Sequence, residues 1–166
     1  MSRTIDPTHR GFVSYIDKSR EYYAARGYAN PYRWACFDDV PFAPLPRPLS
    51  HTVVTLITTA HQIPAAGETP ELHAVYSVSN ADPPAQLSTD GLFWDRQATH
   101  TDDLDSYFPV HRLQEAERAG RIGGVARRLH GVPTEYSQRL TTERDAPEVL
   151  RRCREDGADA AILVPL

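Results

Sequence analysis

The sequence lacks the features that mark membrane proteins and nucleic-acid-binding proteins. It has no apolar run that approaches the roughly 18 residues of a membrane-spanning helix. It also has no cluster of basic residues, and its formal net charge at pH 7 is −4, whereas binding to phosphate groups needs a positive surface. We therefore expect neither a membrane nor a nucleic acid among its partners.

Cysteine is scarce, and an N-terminal leader pattern is missing. The two cysteines, Cys36 and Cys153, form no CxxC pair. We expect two reduced thiols, with that of Cys153 packed on a helix. The first residues, MSRTIDPTHRGF, lack the apolar core of a signal peptide. The sequence therefore favours a cytoplasmic location.

Proline, in contrast, is abundant, and it defines the first part of the chain. The 166 residues include 14 prolines, above the roughly 5% that is usual. Five of them fall close together: Pro31, Pro41, Pro44, Pro46 and Pro48. We expect residues 1–49 to form an N-terminal helix and an extended proline-rich arm. The remaining residues, 50–166, are long enough for one domain with a hydrophobic core.

Hydrophobic periodicity predicts an α/β fold for that domain. The β-branched run TVVTLITT, residues 52–59, predicts a buried strand. Helices are predicted over 10–26, 109–120 and 141–156, and further strands over 72–78, 91–97 and 160–164. A tight turn is predicted at Gly123-Gly124, and residues 127–131 are predicted to lead into a loop. Since a helix followed by a strand is the second half of a crossover unit, we expect strands 52–59 and 160–164 to be parallel neighbours. The predicted fold is a single Rossmann-like domain with a mostly parallel sheet.

The first candidate site is an acidic loop before the helix at 109–120. It gathers His100, Asp102, Asp103 and Asp105 within six positions. One interpretation is that His100 donates a proton to a leaving group, its pKa raised by Asp102 and Asp103. A second is that His100, Asp102 and Asp105 hold a divalent metal ion, although the spacing matches no recognised zinc or calcium pattern. A third is a structural loop that caps the following helix.

The second group of candidates binds substrate. Thr58, Thr59 and His61 stand at the carboxyl end of the predicted strand, where ligands collect in open α/β sheets. Arg112, in the following helix, can clamp a substrate carboxylate. The alternative is that the threonines close a loop and the arginine is a solvated surface residue.

Several stretches together resemble the selenoprotein B family of glycine, sarcosine and betaine reductases, including its D-proline reductase-like members. The resemblance covers nearly the whole chain. It is carried by Tyr22-Tyr23 to Gly27-Tyr28, PYRWA at 31–35, VPFAPL at 40–45 followed by RPLS at 47–50, VVTLITTA at 53–60, HTDDLDSYFPVHRL at 100–113, GRIG at 120–123 and DGADAAILVPL at 156–166.

This resemblance implies reductive cleavage of a carbon–heteroatom bond in a small amino-acid-like substrate. In such relatives, a cysteine or selenocysteine is the nucleophile and a thiol system supplies the electrons. The matched region corresponds to the N-terminal half of the family, and its cysteine- or selenocysteine-bearing C-terminal half has no counterpart here. The expectation is an oxidoreductase subunit, working as a homodimer or as a heteromer with a thiol- or selenol-bearing chain. A fragment, a non-catalytic binding or assembly subunit, and a metal-binding protein derived from that fold remain alternatives.

Overall fold

A computed structural model describes residues 15–29, 35–40, 43–69, 71–92 and 98–166. The chain forms two compact units, Met1–Pro41 and Phe42–Leu166. In the first unit, helix α1 spans Tyr15–Ala25, which confirms the predicted helix over these residues. Parts of the predicted arm, including Pro31 and Pro41, lie outside the described residues. The same is true of residues 93–97 of the predicted strand 91–97.

The second unit is built on an open, mostly parallel sheet of five strands. The strands are β1 (Val53–Thr58), β2 (Tyr76–Ser79), β3 (Gly124–Val125), β4 (Arg128–Gly131) and β5 (Ala160–Val164). β1 pairs in parallel with β3, β4 and β5, while β2 pairs antiparallel with β4. The predicted α/β class and the parallel pairing of the first and last strands are therefore confirmed.

β1 is the central strand of this sheet because its side chains are apolar or β-branched on both faces. Five of its six residues are buried, as expected for a strand with neighbours on both edges and cover on both sides. β5 runs alongside it from Val54↔Ala160 to Thr58↔Val164. Asp159 fixes the start of this pairing, since its Oδ2 accepts a hydrogen bond from the Val53 N–H at 2.9 Å.

The region after Gly123 differs from its prediction as a turn and a loop. Gly124–Val125 and Arg128–Gly131 are strands that pair successively with β1, at Val53↔Gly124 and Ile57↔His130. Short segments with charged residues carry little strand propensity of their own, so their pairing comes from the edge that β1 offers. The predicted second strand is also shifted, since it begins at Tyr76 rather than at Leu72.

Two helical regions complete the second unit. Helix α2 spans Val110–Arg118, and Gly120 follows it with a φ of 66°, as the sequence predicts. The last helical region begins with α3 (Gln138–Leu140), continues through a wider π-type turn at Thr141–Asp145, and ends with α4 (Ala146–Glu155). No helix in the described ranges is long and apolar enough to cross a membrane.

The main hydrophobic core lies between α2, its preceding loop and one face of the sheet. Val54 and Leu56 of β1, Val78 of β2 and Leu129 of β4 supply the sheet side. The loop and helix side consists of Leu87, Leu104, Tyr107, Phe108, Val110 and Leu113. Because side chains alternate along a strand, the residues between these positions face the other side of the sheet.

Candidate functional site

The carboxyl end of β1 is held by its two threonines. Thr58 is buried, and its hydroxyl accepts a hydrogen bond from the Ala60 N–H at 3.2 Å. Thr59 Oγ1 accepts one from the Leu166 N–H at 2.9 Å, which ties the segment after β5 to the segment after β1. Both side chains therefore bond to backbone groups at the edge where the predicted substrate site should lie.

A cleft of about 460 Å³ opens close to this edge, with His61 in its wall. His61 and Ser88 exchange backbone hydrogen bonds of 2.8 and 2.7 Å, so the two segments that line the cleft are joined by a backbone bridge. The other lining residues are Gln62, Ile63, Pro64, Leu72, Gln86, Leu87, Thr89 and Asp90. This volume suits a small organic ligand, and the lining mixes apolar surface with a few polar groups.

The surroundings of His61 favour the neutral form of its imidazole. Partial burial lowers its pKa below the usual value of 6.5, and the nearby His73 lowers it further. At neutral pH the ring therefore offers one hydrogen-bond donor and one acceptor to a ligand. Asp90, an exposed carboxylate on the same cleft, adds a group that can bind an ammonium.

Buried Tyr107 and partly buried Tyr76 position this cleft, and the sequence alone did not single them out. The Tyr107 hydroxyl accepts from the Leu87 N–H and donates to the Leu87 carbonyl, each at 3.1 Å. The Tyr76 hydroxyl donates to the Ala60 carbonyl at 2.7 Å, next to His61. The position of Tyr107, just after the acidic loop and within an aromatic-proline step, was the available clue.

A hydrogen bond between two threonine hydroxyls connects the acidic loop to the cleft. Thr101 Oγ1 is 3.2 Å from Thr89 Oγ1 on the cleft wall. The neighbouring His100 is exposed, and its Nδ1 is 3.6 Å from Asp102 Oδ2, whose side chain is 91% exposed. His100 is therefore free to meet a bound molecule or solvent, but its pairing with Asp102 is a weak surface interaction.

The other two aspartates of this loop stabilise local structure. Asp103 Oδ1 accepts from the Asp105 N–H at 3.0 Å at the start of a short 3-10 helix, Leu104–Ser106. Asp105 Oδ1 accepts from the His111 N–H in the first turn of α2 at 3.0 Å. Its Oδ2 lies 3.2 Å from His111 Nδ1 and 3.3 Å from Arg112 Nε. Asp105 is thus the capping carboxylate of α2.

The predicted metal ligands do not converge on one point, and Arg112, the predicted partner of a substrate carboxylate, lies elsewhere. His100 and Asp102 point into solvent while Asp105 bonds to α2, and no group of three metal-ligating side chains occurs in the described part of the chain. The residues therefore do not fit a metal ion in this arrangement. Arg112 is paired with both Asp105 and Glu115 on the helix surface, so the structure does not bring it to the His61 cleft.

Cys153, the cysteine of the second unit, does not line the cleft. Cys36 and Cys153 are both free thiols. Cys153 is buried on α4, and burial together with the charge of Asp156 raises the pKa of its thiol. A thiol with a raised pKa holds little reactive thiolate at neutral pH, so Cys153 is a structural cysteine.

No family model, curated protein or solved structure matches this chain. The resemblance to the selenoprotein B family therefore stays an interpretation of the sequence. What the structure adds is a small cleft at the carboxyl end of a central parallel strand, lined by a neutral histidine and flanked by an exposed one.

Proposed function

We propose that this chain is the substrate-binding subunit of a reductase resembling the selenoprotein B family. It binds a small amino-acid-like molecule in the His61 cleft and works with a chain that supplies a thiol or selenol. The observation that carries this proposal is the position of the cleft just beyond the carboxyl end of β1. In open α/β sheets, ligands bind in the crevice outside the carboxyl ends of the strands.

The cleft chemistry supports a zwitterionic or amine-containing ligand. Asp90 can pair with an ammonium group, and the neutral ring of His61 can donate to or accept from a carboxylate or amine. His100 is close to the same wall through the Thr101–Thr89 contact. As an exposed imidazole, it can deliver a proton to the nitrogen that leaves when a carbon–nitrogen bond is cleaved. No step of this proposal uses a metal ion.

The need for a second chain is supported by Cys153 and by β5. The raised pKa of Cys153 makes it a poor nucleophile. Within the described residues, β5 pairs with β1 alone, and Ile162 and Leu163 are 43% and 69% exposed. The Thr59–Leu166 hydrogen bond holds the end of this strand near the carboxyl edge of β1. A thiol-bearing chain that adds a strand to β5 would therefore approach the substrate side of the sheet.

We also infer Rossmann-like connectivity for the second unit. The helical region from Gln138 to Glu155 connects β4 to β5, and both of these strands are parallel to β1. This is the arrangement of a crossover that spans the central strand. A cytoplasmic location agrees with reduced thiols and with a thiol electron source.

Ligand binding by the isolated chain tests the proposal directly. Glycine, sarcosine, betaine and D-proline would be titrated separately into the protein while amide shifts are followed by NMR. We expect at least one of them to shift resonances around His61, and His61→Ala to weaken its binding by tenfold or more, about 1.4 kcal/mol. His51→Ala is the matched control, because His51 is an exposed histidine just before the amino end of the same strand. Absence of binding by all four compounds, or equal binding by the two variants, would contradict the cleft assignment.

The role of His100 requires turnover, so it is tested in the native complex. The chain would be purified with any associated chain and assayed with dithiothreitol as the electron source. His100→Ala should lower turnover while leaving substrate binding unchanged, because the proton is needed only when the bond breaks. Unchanged turnover in an active preparation would rule out this role.

The competing proposal is a non-catalytic assembly subunit, favoured by the exposed apolar side chains of β5. A subunit of that kind would form the complex through β5 but would bind none of the four compounds. The same titrations therefore separate the two functions.

A further inference from the structure

A second polar cluster lies on the face of the sheet opposite the main core. Ser77 of β2 and His130 of β4 are directly paired across the two antiparallel strands. Their neighbours Tyr76, Val78 and Leu129 belong to the main core, so Ser77 and His130 point to the other side. Asp156, immediately after α4, lies against His130.

The three side chains stand in the order serine, histidine, carboxylate. Ser77 Oγ is 3.0 Å from His130 Nδ1, and His130 Nε2 is 3.6 Å from Asp156 Oδ2. The His130 side chain has no solvent exposure, and its Nε2 has no hydrogen-bond partner. An unpartnered buried ring nitrogen is costly, so this histidine is poorly explained as a structural residue alone.

Hydrogen bonds around the cluster favour one direction of proton transfer. Arg152 Nη1 donates to Ser77 Oγ at 2.9 Å, which leaves the serine hydroxyl proton to point at His130 Nδ1. The other ring nitrogen then carries its proton toward Asp156. Asp156 is fixed in turn by Arg127 Nε at 2.6 Å and by Arg128 Nε at 3.0 and 2.9 Å.

The charge states agree with this direction. Burial lowers the pKa of His130, the charge of Asp156 raises it in part, and Arg128 and Arg152 lower it again, with a net value below 6.5. Burial opposes ionisation of Asp156, but hydrogen bonds from Arg128 and Arg127 outweigh it, so the pKa of this carboxyl is lowered. At neutral pH the cluster therefore holds a neutral base next to an ionised carboxylate.

We propose that Ser77, His130 and Asp156 form a nucleophilic site that is acylated by small carboxylic esters. Ser77 has access to such molecules because it lines a surface pocket together with Val78, Ser79, Arg127 and Arg128. This activity is independent of the reductase role, since it uses the opposite face of the sheet from the main core.

The reaction needs no redox partner. Ser77 Oγ forms a bond to the ester carbonyl carbon while its proton moves to His130 Nδ1, and Asp156 stabilises the resulting imidazolium. The carbon–oxygen bond to the alcohol then breaks, and the alkoxide leaves with the proton from His130. A water molecule then attacks the acyl carbon while His130 takes its proton, and the bond between the acyl carbon and Ser77 Oγ breaks as His130 returns the proton to that oxygen. One ester and one water therefore give one acid and one alcohol. Arg152 donates to Ser77 Oγ and so stabilises the partial negative charge on this oxygen while its proton moves to His130. The charge of the tetrahedral intermediate itself lies on the former carbonyl oxygen.

Covalent labelling tests this site in the wild-type chain. The protein would be incubated with a fluorophosphonate probe, which loses fluoride on attack by an activated serine, and the adduct would be mapped by peptide mass spectrometry. We expect one adduct per chain, on Ser77. Absence of an adduct, or an adduct on another residue alone, would overturn the proposal without any need for a variant.

Three variants test the assignment further. Ser77→Ala should reduce labelling by more than tenfold. Ser79→Ala should label as the wild type does, because Ser79 lies on the same face of β2 and in the same pocket but its hydroxyl accepts from the Ala81 N–H. His130→Gln should slow labelling of Ser77 at least tenfold in protein whose circular dichroism is unchanged. Labelling of Ser77 at the wild-type rate in a folded His130→Gln protein would also overturn the proposed activation.

Discussion

At the scale of single residues, the acidic loop before α2 contains two kinds of aspartate. Asp105 has a side chain that is only 12% exposed and bonds to the first turn of α2, whereas Asp102 is 91% exposed. The sequence left open whether this loop supplies a proton, holds a metal ion or caps the helix, because it shows residue types and spacing only. Which carboxylate turns toward the helix depends on the path of the short 3-10 helix Leu104–Ser106, which carries Asp105 and follows Asp102.

The difference between Asp105 and Asp102 predicts that replacing each with alanine changes the free energy of unfolding by unequal amounts. Asp105→Ala should lower the free energy of unfolding by about 0.5–2 kcal/mol, because it removes a helix cap. Asp102→Ala is its control and should change the free energy of unfolding by less than about 0.5 kcal/mol, as is usual for exposed residues. Urea denaturation followed by circular dichroism measures both. Equal losses in the two variants would mean that Asp105 does not cap α2 in solution.

At the scale of elements, the sequence predicted those with strong internal patterns. β1 was identified from its β-branched run, and α2 from its apolar spacing and its closing glycine at Gly120. β3 and β4 were missed because the segments GV and RLHG have no such pattern and become strands only against β1. His130 consequently went unnoticed as a site residue, since its pairing with Ser77 requires β4 to exist.

Just before β3, the backbone at Gly123 lies in close contact with the backbone at His51. A Cβ added at Gly123 would lie 2.3 Å from the carbonyl carbon of His51, whereas one at Gly124 would meet only the end of the Glu117 side chain, at 3.4 Å. Gly123→Ala should therefore destabilise the protein by about 1–3 kcal/mol through overpacking.

Gly124→Ala serves as the adjacent control and should be tolerated, because a glutamate side chain can move aside. Thermal unfolding of the two variants gives the comparison. If Gly123→Ala melts at the wild-type temperature, the close approach of Gly123 to His51 is absent in solution.

At the scale of the whole molecule, β5 leaves the sheet open on one side. Its five residues, AAILV, carry no charge, and charged residues are a common protection of edge strands. Both faces of the strand expose a large apolar side chain, Ile162 on the side of the main core and Leu163 on the other. The sequence predicted this strand, but not which of its faces would remain open.

We expect the isolated chain to self-associate through β5. Leu163→Lys should shift the chain toward monomer in sedimentation velocity runs at increasing concentration, because a charge on this strand opposes edge-to-edge pairing. Leu49→Lys is the comparison variant, since Leu49 is 51% exposed but precedes β1. A wild-type chain that stays monomeric at every concentration would count against association through β5.

The central position of β1 also has a consequence for synthesis. β1 ends at Thr58, but its parallel partners begin at Gly124, Arg128 and Ala160. A ribosome adds roughly 5–20 residues per second, so β1 emerges on the order of 3–20 s before the roughly 70 to 100 further residues that complete its pairing. During that interval the run TVVTLITT is an unpaired, strongly β-forming segment. Until those residues are synthesised, β1 can pair with an exposed strand of another chain.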